Sequence, residues 1–122
     1  MQTLVSIIIP TFNRAQTLKK AIDSVLLQTY EFWELIIVDN SSTDNTISII
    51  KDYKNEKIKI INVVNKGVIA HSRNIGVKNS KGKFIAFLDS DDWWESEKLE
   101  NAIESLDNEN ADIVYHDCKL VS

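Results

Sequence analysis

The sequence predicts an α/β fold, a doubly wound and mostly parallel sheet with helices on both faces. Apolar, β-branched runs alternate along the chain with segments whose apolar residues recur at helical spacing. The runs are apolar at consecutive positions, which is typical of strands buried on both faces in a parallel sheet. A length of 122 residues with 43% hydrophobic content is enough for one domain with a core.

The first half of the chain predicts two strands and two helices. In chain order these are a strand at Leu4–Ile9, a helix at Thr17–Gln28, a strand at Leu35–Val38 and a helix through Ile47, Ile50 and Tyr53. Pro10, the only proline, closes the first strand. Ser42 and Asp44 are the candidates to cap the second helix, because their side-chain oxygens can accept from its first N–H groups.

The second half predicts three strands and two helices. In chain order these are a strand at Lys57–Val64, a helix at Ile69–Asn79, a strand at Phe84–Leu88, a helix at Ser96–Leu106 and a strand at Asp112–Tyr115. Right-handed crossovers between parallel strands favour an order in which the first strand lies between the second and the fourth.

Polar clusters follow three of these strands. Pro10–Arg14 follows the first, Asp39–Ser42 the second and Asp89–Asp92 the fourth. Each cluster alone is also typical of a turn or a helix cap. In doubly wound sheets, however, ligands bind beyond the carboxyl ends of the strands, at the point where strand order reverses. We therefore expect the three clusters to meet in one crevice.

The third cluster places the carboxylates of Asp89, Asp91 and Asp92 within four residues. Like charges about 5 Å apart repel by roughly 3 kcal/mol at an effective dielectric near 20, so such a cluster is either solvated or held by a cation. Oxygen ligands suit Mg²⁺ or Mn²⁺, which often also hold substrate phosphates. The sequence contains neither G-x-G-x-x-G nor G-x-x-x-x-G-K-[ST], so we expect phosphate to be bound through a metal.

Composition disfavours several classes of protein. The net charge is −4 and no Lys/Arg run is dense, which disfavours nucleic-acid binding. The single cysteine, Cys118, fits a reducing compartment. The amino-terminal segment lacks the pattern of a signal peptide, and its apolar run is too short to span a bilayer. We expect one cytoplasmic domain, with the inner face of the membrane as the alternative location.

Four stretches carry a resemblance to a known family. They are VSIIIPTFNR (5–14), SVLLQTYEFWELIIVDNSSTDNT (24–46), NKGVIAHSRNIGVKNSKGKFIAFLDSDDWW (65–94) and, more weakly, ADIVYHD (111–117). With these stretches the chain resembles the nucleotide-binding half of a family 2 glycosyltransferase, whose GT-A fold is Rossmann-like. The resemblance implies an inverting, metal-dependent enzyme. Its donor would be a nucleoside diphosphate sugar of the UDP-sugar type, and its acceptor would be a saccharide or a lipid-linked molecule.

The resemblance also implies roles for individual residues. The base would lie against Pro10, Thr11 and Phe12, with Asp39 and Asn40 at its edge. Asp89-Ser90-Asp91 would be the DxD motif, with Asp91 on Mn²⁺ or Mg²⁺, Asp89 in support and Ser90 near the ribose. Arg73 would contact the phosphates or fix the base loop, and an exposed helix charge is its alternative.

Two departures from the family pattern are Asn40, where an acid is usual, and His71-Ser72, where small residues are usual. The change at Asn40 is expected to affect base preference. The family's general base comes from a later segment, so we assign no catalytic residue here. We expect an engineered truncation or a split gene product that exposes apolar surface and pairs through it as a homodimer.

Two alternatives remain at this point. A phospho-acceptor receiver module has the same size and α/β pattern, but it needs an acidic pair after the first strand and a lysine after the fifth. Here Pro10-Thr11 and Tyr115-His116 stand at those places. The other alternative is a nucleotide-sugar-binding protein without catalytic activity.

Overall fold

The structure, a computed structural model, describes residues 3–64 and 69–109. Strands and helices alternate through them, as the sequence predicts. In chain order they are β1 (Val5–Thr11), α1 (Ala15–Leu26), β2 (Trp33–Asp39), α2 (Thr46–Asp52), β3 (Ile58–Asn62), α3 (Ile69–Lys78), β4 (Phe84–Phe87) and α4 (Lys98–Glu109). The strand predicted at Asp112–Tyr115 lies outside the described residues.

The four strands form one parallel sheet in the order β3-β2-β1-β4. This confirms the predicted position of β1 between β2 and β4. In the register, Val5 of β1 lies opposite Trp33 of β2 and Phe84 of β4, while Thr11 lies opposite Asp39. Strand order reverses beside β1, so the carboxyl ends of β1, β2 and β4 meet at one edge of the sheet.

Helices cover both faces of the sheet, as predicted. On one face, Leu18 and Ile22 of α1 share a core with Ile7 of β1, Ile50 of α2 and Leu99 of α4. On the other face, α3 packs its Ile75 against a second apolar cluster of the sheet.

The second face also brings α3 close to β1. A Cβ added to Gly76 would lie 2.5 Å from Cγ2 of Ile8, so only glycine allows this approach. No helix among residues 3–64 and 69–109 is both long enough and apolar enough to cross a bilayer.

Most element boundaries differ from the sequence expectation by one to three residues, and two of the differences have identifiable reasons. β1 continues through Pro10 to Thr11, because beyond Ile8 the strand pairs with β2 alone and the missing N–H of proline is tolerated there. α1 begins two residues before the predicted Thr17, because the N–H of Ala15 donates to Oδ2 of Asp44 at 3.2 Å. A residue 29 positions away thus supplies the cap for this helix.

Candidate functional site

A cleft of about 470 Å³ opens at the carboxyl ends of β1, β2 and β4. It brings the three predicted polar clusters together and adds one turn of α3. Its lining residues are Pro10, Thr11, Phe12, Arg14, Asn40, Ser72, Arg73, Asp89, Ser90 and Asp91. Eight of the nine site residues expected from the sequence are therefore on its wall.

Asp39 is the expected site residue that does not line the cleft. It is 1% exposed at the end of β2, and its carboxylate accepts hydrogen bonds from the backbone N–H and the hydroxyl of Ser42. Its neighbour Asn40 does line the cleft and donates its backbone N–H to the carbonyl of Thr11 at 2.9 Å. Direct contact between Asp39 and a base stays a prediction.

The loops after β1 and β2 are joined by side-chain hydrogen bonds. Asn13 adopts a positive φ of 49°. Its N–H donates to Oγ of Ser42 at 2.8 Å, and its Oδ1 accepts from the N–H groups of Thr43 at 2.7 Å and Asp44 at 3.2 Å. Since Phe12 and Arg14 flank Asn13, this link fixes the wall of the cleft on which they lie.

Asp44 holds the starts of two helices in the same network. Its carboxylate accepts from the N–H of Ala15 in α1 and from the N–H and hydroxyl of Thr46 in α2. The hydrogen bond from the Thr46 hydroxyl is the largest cause that lowers the pKa of Asp44 below its usual range. Of the two predicted caps, Asp44 therefore serves α2, while Ser42 binds Asp39 and Asn13.

The acidic segment after β4 is tied to α3. Nη2 of Arg73 donates to Oδ1 of Asp89 at 3.1 Å, and both side chains are about one-third exposed, at 36% and 33%. The guanidinium lies 5.3 Å from the ring centroid of Phe87. Ser90 is buried and Asp91 is exposed on the cleft wall. The pair orients Asp89 before any ligand binds.

Two buried polar atoms of the cleft lack a hydrogen-bond partner. Across the described residues, the buried side-chain atoms without one are Oγ1 of Thr11, Nε of Arg73 and Nε1 of Trp94. An unmet buried polar group costs about 1–3 kcal/mol, so such atoms call for a functional explanation. Thr11 and Arg73 both line the cleft. A ligand with acceptor oxygens would satisfy them.

Comparison with known proteins decides the family. The family model described as glycosyl transferase family 2 matches residues 6–121 of this chain. The chain belongs to glycosyl transferase family 2. This membership also decides against the receiver-module alternative.

Curated relatives of this family 2 chain are named glycosyltransferases. UDP-Glc:alpha-D-GlcNAc-diphosphoundecaprenol beta-1,3-glucosyltransferase WfgD of Escherichia coli is 41% identical over 120 residues, which are 98% of this chain and 47% of the relative. Putative teichuronic acid biosynthesis glycosyltransferase TuaG of Bacillus subtilis is 39% identical over 105 residues, which are 84% of this chain and 42% of the relative. The chain thus spans about half the length of these relatives.

Solved structures of glycosyltransferases share the fold. Residues 1-349 of S. aureus TarS, solved in complex with UDP-GlcNAc, superpose with a TM-score of 0.82 and 31% identity, over 87% of this chain and 32% of that chain. Mannosyltransferase PcManGT from Pyrobaculum calidifontis, solved with GDP-Man and Mn²⁺, gives a TM-score of 0.77 and 26% identity, over 84% of this chain and 32% of that chain. The predicted GT-A fold is confirmed.

The oxygen atoms that line the cleft fit a divalent ion that is bound partly by the protein and partly by a substrate. No group of three or more His, Cys, Asp or Glu side chains is placed to hold a metal within the part of the chain that the structure describes. The cleft does offer the carboxylates of Asp89 and Asp91. Mg²⁺ is usually bound by one or two carboxylates together with substrate phosphates rather than by a cage of protein groups.

Two residues of the cleft received no individual role from the sequence, although Arg14 belongs to the Pro10–Arg14 cluster that was expected there. Ser72 is buried on α3 beside Arg73, and Arg14 is exposed at the start of α1. Arg14 ends the quoted PTFNR stretch, which was the available signal for it. Ser72 belongs to the unusual His71-Ser72 pair, and of the two only Ser72 reaches the cleft, while His71 is exposed elsewhere on α3.

The tryptophan pair after the acidic segment divides between core and surface. Trp94 is 3% exposed and packs in the core with α1 and α4. Trp93 is 45% exposed, and Nζ of Lys20 lies 4.9 Å from its ring centroid. Neither residue lines the cleft at the carboxyl ends of the strands.

Proposed function

We propose that this chain is the donor-binding part of an inverting, metal-dependent glycosyltransferase. The proposed donor is a nucleoside diphosphate sugar of the UDP-sugar type. The proposed acceptor is a hydroxyl group of a saccharide or of a lipid-linked saccharide. The carrying observation is the cleft in which Asp89, Asp91, Arg73 and Thr11 converge. The UDP-GlcNAc bound to TarS and the donor in the name of WfgD support this proposal.

The nucleoside is proposed to bind between the loops after β1 and β2. Phe12 is 50% exposed on the cleft wall and offers an aromatic face to a base, with Pro10 and Thr11 beside it. The amide of Asn40 can both donate and accept at the base edge. Pro10 and Thr11 end β1, and Phe12 and Asn40 lie on the two loops that Asn13 and its partners join, so these groups are in place before binding.

The diphosphate is proposed to bind between Arg73 and the acidic segment. Arg73 gives one N–H to Asp89 and keeps Nε for a phosphate oxygen. Asp91, with Asp89 in support, would hold Mn²⁺ or Mg²⁺. When bound, that ion would supply positive charge against the charge that develops on the departing diphosphate. Ser90 is proposed to lie near the ribose.

The general base is proposed to lie outside these 122 residues. The carboxylates that line the cleft, among the described residues, are Asp89 and Asp91, and both are assigned to the metal. An acceptor hydroxyl needs a positioned base to take its proton during transfer. We therefore expect the chain alone to bind donor without transferring sugar.

Calorimetry with UDP tests the donor site. We expect binding with Mn²⁺ present, a large loss of affinity with chelator, and the same loss for Asp91→Ala in the presence of Mn²⁺. Glu97→Ala is the matched control, because Glu97 is an exposed carboxylate outside the cleft. Equal UDP affinity with and without chelator would refute the metal assignment, and no UDP binding at all would refute the donor site.

Turnover separates an enzyme from a binding protein without activity. UDP release from a panel of UDP-sugars, measured with and without acceptors on the complete polypeptide that carries this chain, should depend on acceptor. Tight donor binding without acceptor-dependent release would favour the non-catalytic alternative. Cytoplasmic location and homodimer formation stay predictions, for cell fractionation and sedimentation to test.

A further inference from the structure

A second cavity, of about 500 Å³, lies between α1 and residues 93–96. It shares no lining residue with the donor cleft. Trp93 on its wall follows Asp91 by two residues, so their Cα atoms are within about 7 Å of each other. The cavity therefore adjoins the place where the proposed function puts the sugar diphosphate, without overlapping it.

An exposed aromatic ring forms part of this cavity. Trp93 is 45% exposed, and its backbone N–H donates to Oδ1 of Asp92 at 3.0 Å, which holds the residue in place. Nζ of Lys20 lies 4.9 Å from the ring centroid, and Leu27 is exposed on the same wall. The wall thus presents an exposed indole with the Lys20 cation over one face of its ring, which leaves the other face for a ligand.

Trp94, which also lines this cavity, carries a buried donor without a partner. Trp94 is 3% exposed, and its Nε1–H has no hydrogen-bond partner among the described residues. The other two buried atoms of this kind, Oγ1 of Thr11 and Nε of Arg73, line the donor cleft. Indole nitrogen only donates, so the missing partner is an acceptor such as a hydroxyl oxygen.

Acceptor groups complete the wall. The carboxylates of Asp23 and Glu95 line the cavity, and the hydroxyl of Tyr53 donates to Oδ1 of Asp23 at 2.7 Å, which orients that carboxylate. A phosphate or other anion would be repelled by the two carboxylates. A purely apolar ligand would leave the indole N–H without a partner and would remove solvent from the exposed carboxylate of Glu95. A neutral ring with one apolar face and several hydroxyls can stack on the indole and form hydrogen bonds with the indole N–H and the carboxylates.

We propose that this cavity binds a pyranose ring of the saccharide acceptor, stacked on the face of Trp93 that Lys20 does not cover. Its hydroxyls would accept from Nε1–H of Trp94 and donate to Asp23 and Glu95. The assignment to the acceptor rests on the proposed function. The binding of a pyranose at this place does not, because none of these residues belongs to the donor cleft.

Indole N–H signals in ¹H–¹⁵N NMR spectra test the proposal. The chain has three tryptophans, Trp33, Trp93 and Trp94, and single Trp→Phe variants assign their signals. Titration with methyl α-glucopyranoside, methyl α-mannopyranoside and methyl N-acetyl-α-glucosaminide should shift the Trp93 and Trp94 signals saturably for at least one sugar. The Trp33 signal should stay in place, because Trp33 starts β2 at the other end of the sheet.

Variants separate this site from the donor site. Trp93→Ala should weaken pyranoside binding about tenfold, while Trp93→Phe keeps much of it because a ring remains. Both variants should keep the UDP affinity of the unchanged chain, which also shows that they are folded. Asp91→Ala, conversely, should lose UDP and keep pyranoside affinity.

Three outcomes would overturn the proposal. The first is UDP binding with no saturable shift for any pyranoside. The second is a pyranoside shift that persists in Trp93→Ala. The third is a Trp93 shift that follows protein concentration instead of sugar, which would make this face a contact between two copies. Failure of UDP binding alone would overturn the donor site and leave the pyranose site standing.

Discussion

Arg73 on α3 and Asp89 after β4 form an ion pair of 3.1 Å at the mouth of the cleft. The pair joins the helix on one face of the sheet to the acidic segment at its edge. Because Arg73 has a second nitrogen, Nε, that is buried and unpartnered, it can hold Asp89 and contact a ligand at the same time. Asp89 is thus oriented by a residue 16 positions earlier in the chain.

Arg73→Ala should weaken UDP binding in the presence of Mn²⁺ by about tenfold, or 1.4 kcal/mol. The variant removes the proposed phosphate contact together with the ion pair that orients Asp89. Stability should fall by less than about 1 kcal/mol, because the pair is one-third exposed and screened by solvent. Calorimetry and thermal unfolding measure the two effects, with Lys78→Ala on the same helix as control. A variant that loses stability but not UDP affinity would make the pair structural only.

Asp39→Ala should weaken UDP binding by about 1–3 kcal/mol, the cost of a lost buried polar contact, and leave Mn²⁺ affinity unchanged. Ser42→Ala is the matched variant, since it removes the hydroxyl that binds Asp39 and Asn13. We expect Ser42→Ala to cost less than Asp39→Ala. Equal losses would show that Asp39 acts by holding the loops and does not contact the base.

Glu34 should make stability depend on pH in the acidic range. Burial by itself raises the pKa of Glu34, but hydrogen bonds from the Ser6 hydroxyl, the backbone N–H of Lys81 and the side-chain ammonium of Lys59 outweigh it, so the pKa lies below its usual 4.5. The folded state thus favours the carboxylate. Its stabilisation is complete above the unfolded-state pKa and is lost as pH falls towards the folded-state pKa.

Glu34→Gln tests this dependence by urea unfolding at a series of pH values. At neutral pH the variant should lose about 1–3 kcal/mol, because hydrogen bonds to a charged group are weakened or lost. Its stability should also fall less steeply below pH 4.5 than that of the unchanged chain. Glu97→Gln, at an exposed site, should change neither quantity. Parallel pH profiles for Glu34→Gln and the unchanged chain would contradict the prediction.

Gly76→Ala should destabilise the fold even though alanine favours helix by about 1 kcal/mol. The added Cβ would lie 2.5 Å from Cγ2 of Ile8 in β1, and overpacking of this kind costs about 1–3 kcal/mol. Asn74→Ala, exposed on the same helix, is the control. Ile8→Ala should cost less stability in the Gly76→Ala background than alone, and additive losses would show that the two sites do not clash.

The fold followed from local patterns, whereas the site followed from them only in part. Consecutive apolar residues and helical spacing predicted every described strand and helix, and the crossover rule predicted the order around β1. The start of α1 was misplaced because its cap, Asp44, is 29 residues away. Ser72 was missed as a cleft residue because spacing along α3 does not show which turn of the helix meets the strand ends.

The ion pair between Arg73 and Asp89 was also not predicted from the sequence. The resemblance implied two roles for Arg73, with an exposed helix charge as the alternative, and none of the three was a partner in the acidic segment. Asp39, by contrast, was expected in the cleft because it directly follows the strand predicted at Leu35–Val38, yet its side chain accepts hydrogen bonds from Ser42. Side-chain direction at a strand end depends on contacts across loops, which periodicity does not contain.

The link that Asn13 makes between the first two loops has a consequence for how this protein can vary. Asn13 accepts from Thr43 and Asp44, and Asp44 in turn caps both α1 and α2. An insertion or deletion in either loop would therefore disturb the hydrogen bonds at the first turns of both α1 and α2. The lengths of these loops are coupled, so a change in donor preference is reached more readily by exchanging single side chains than by resizing one loop.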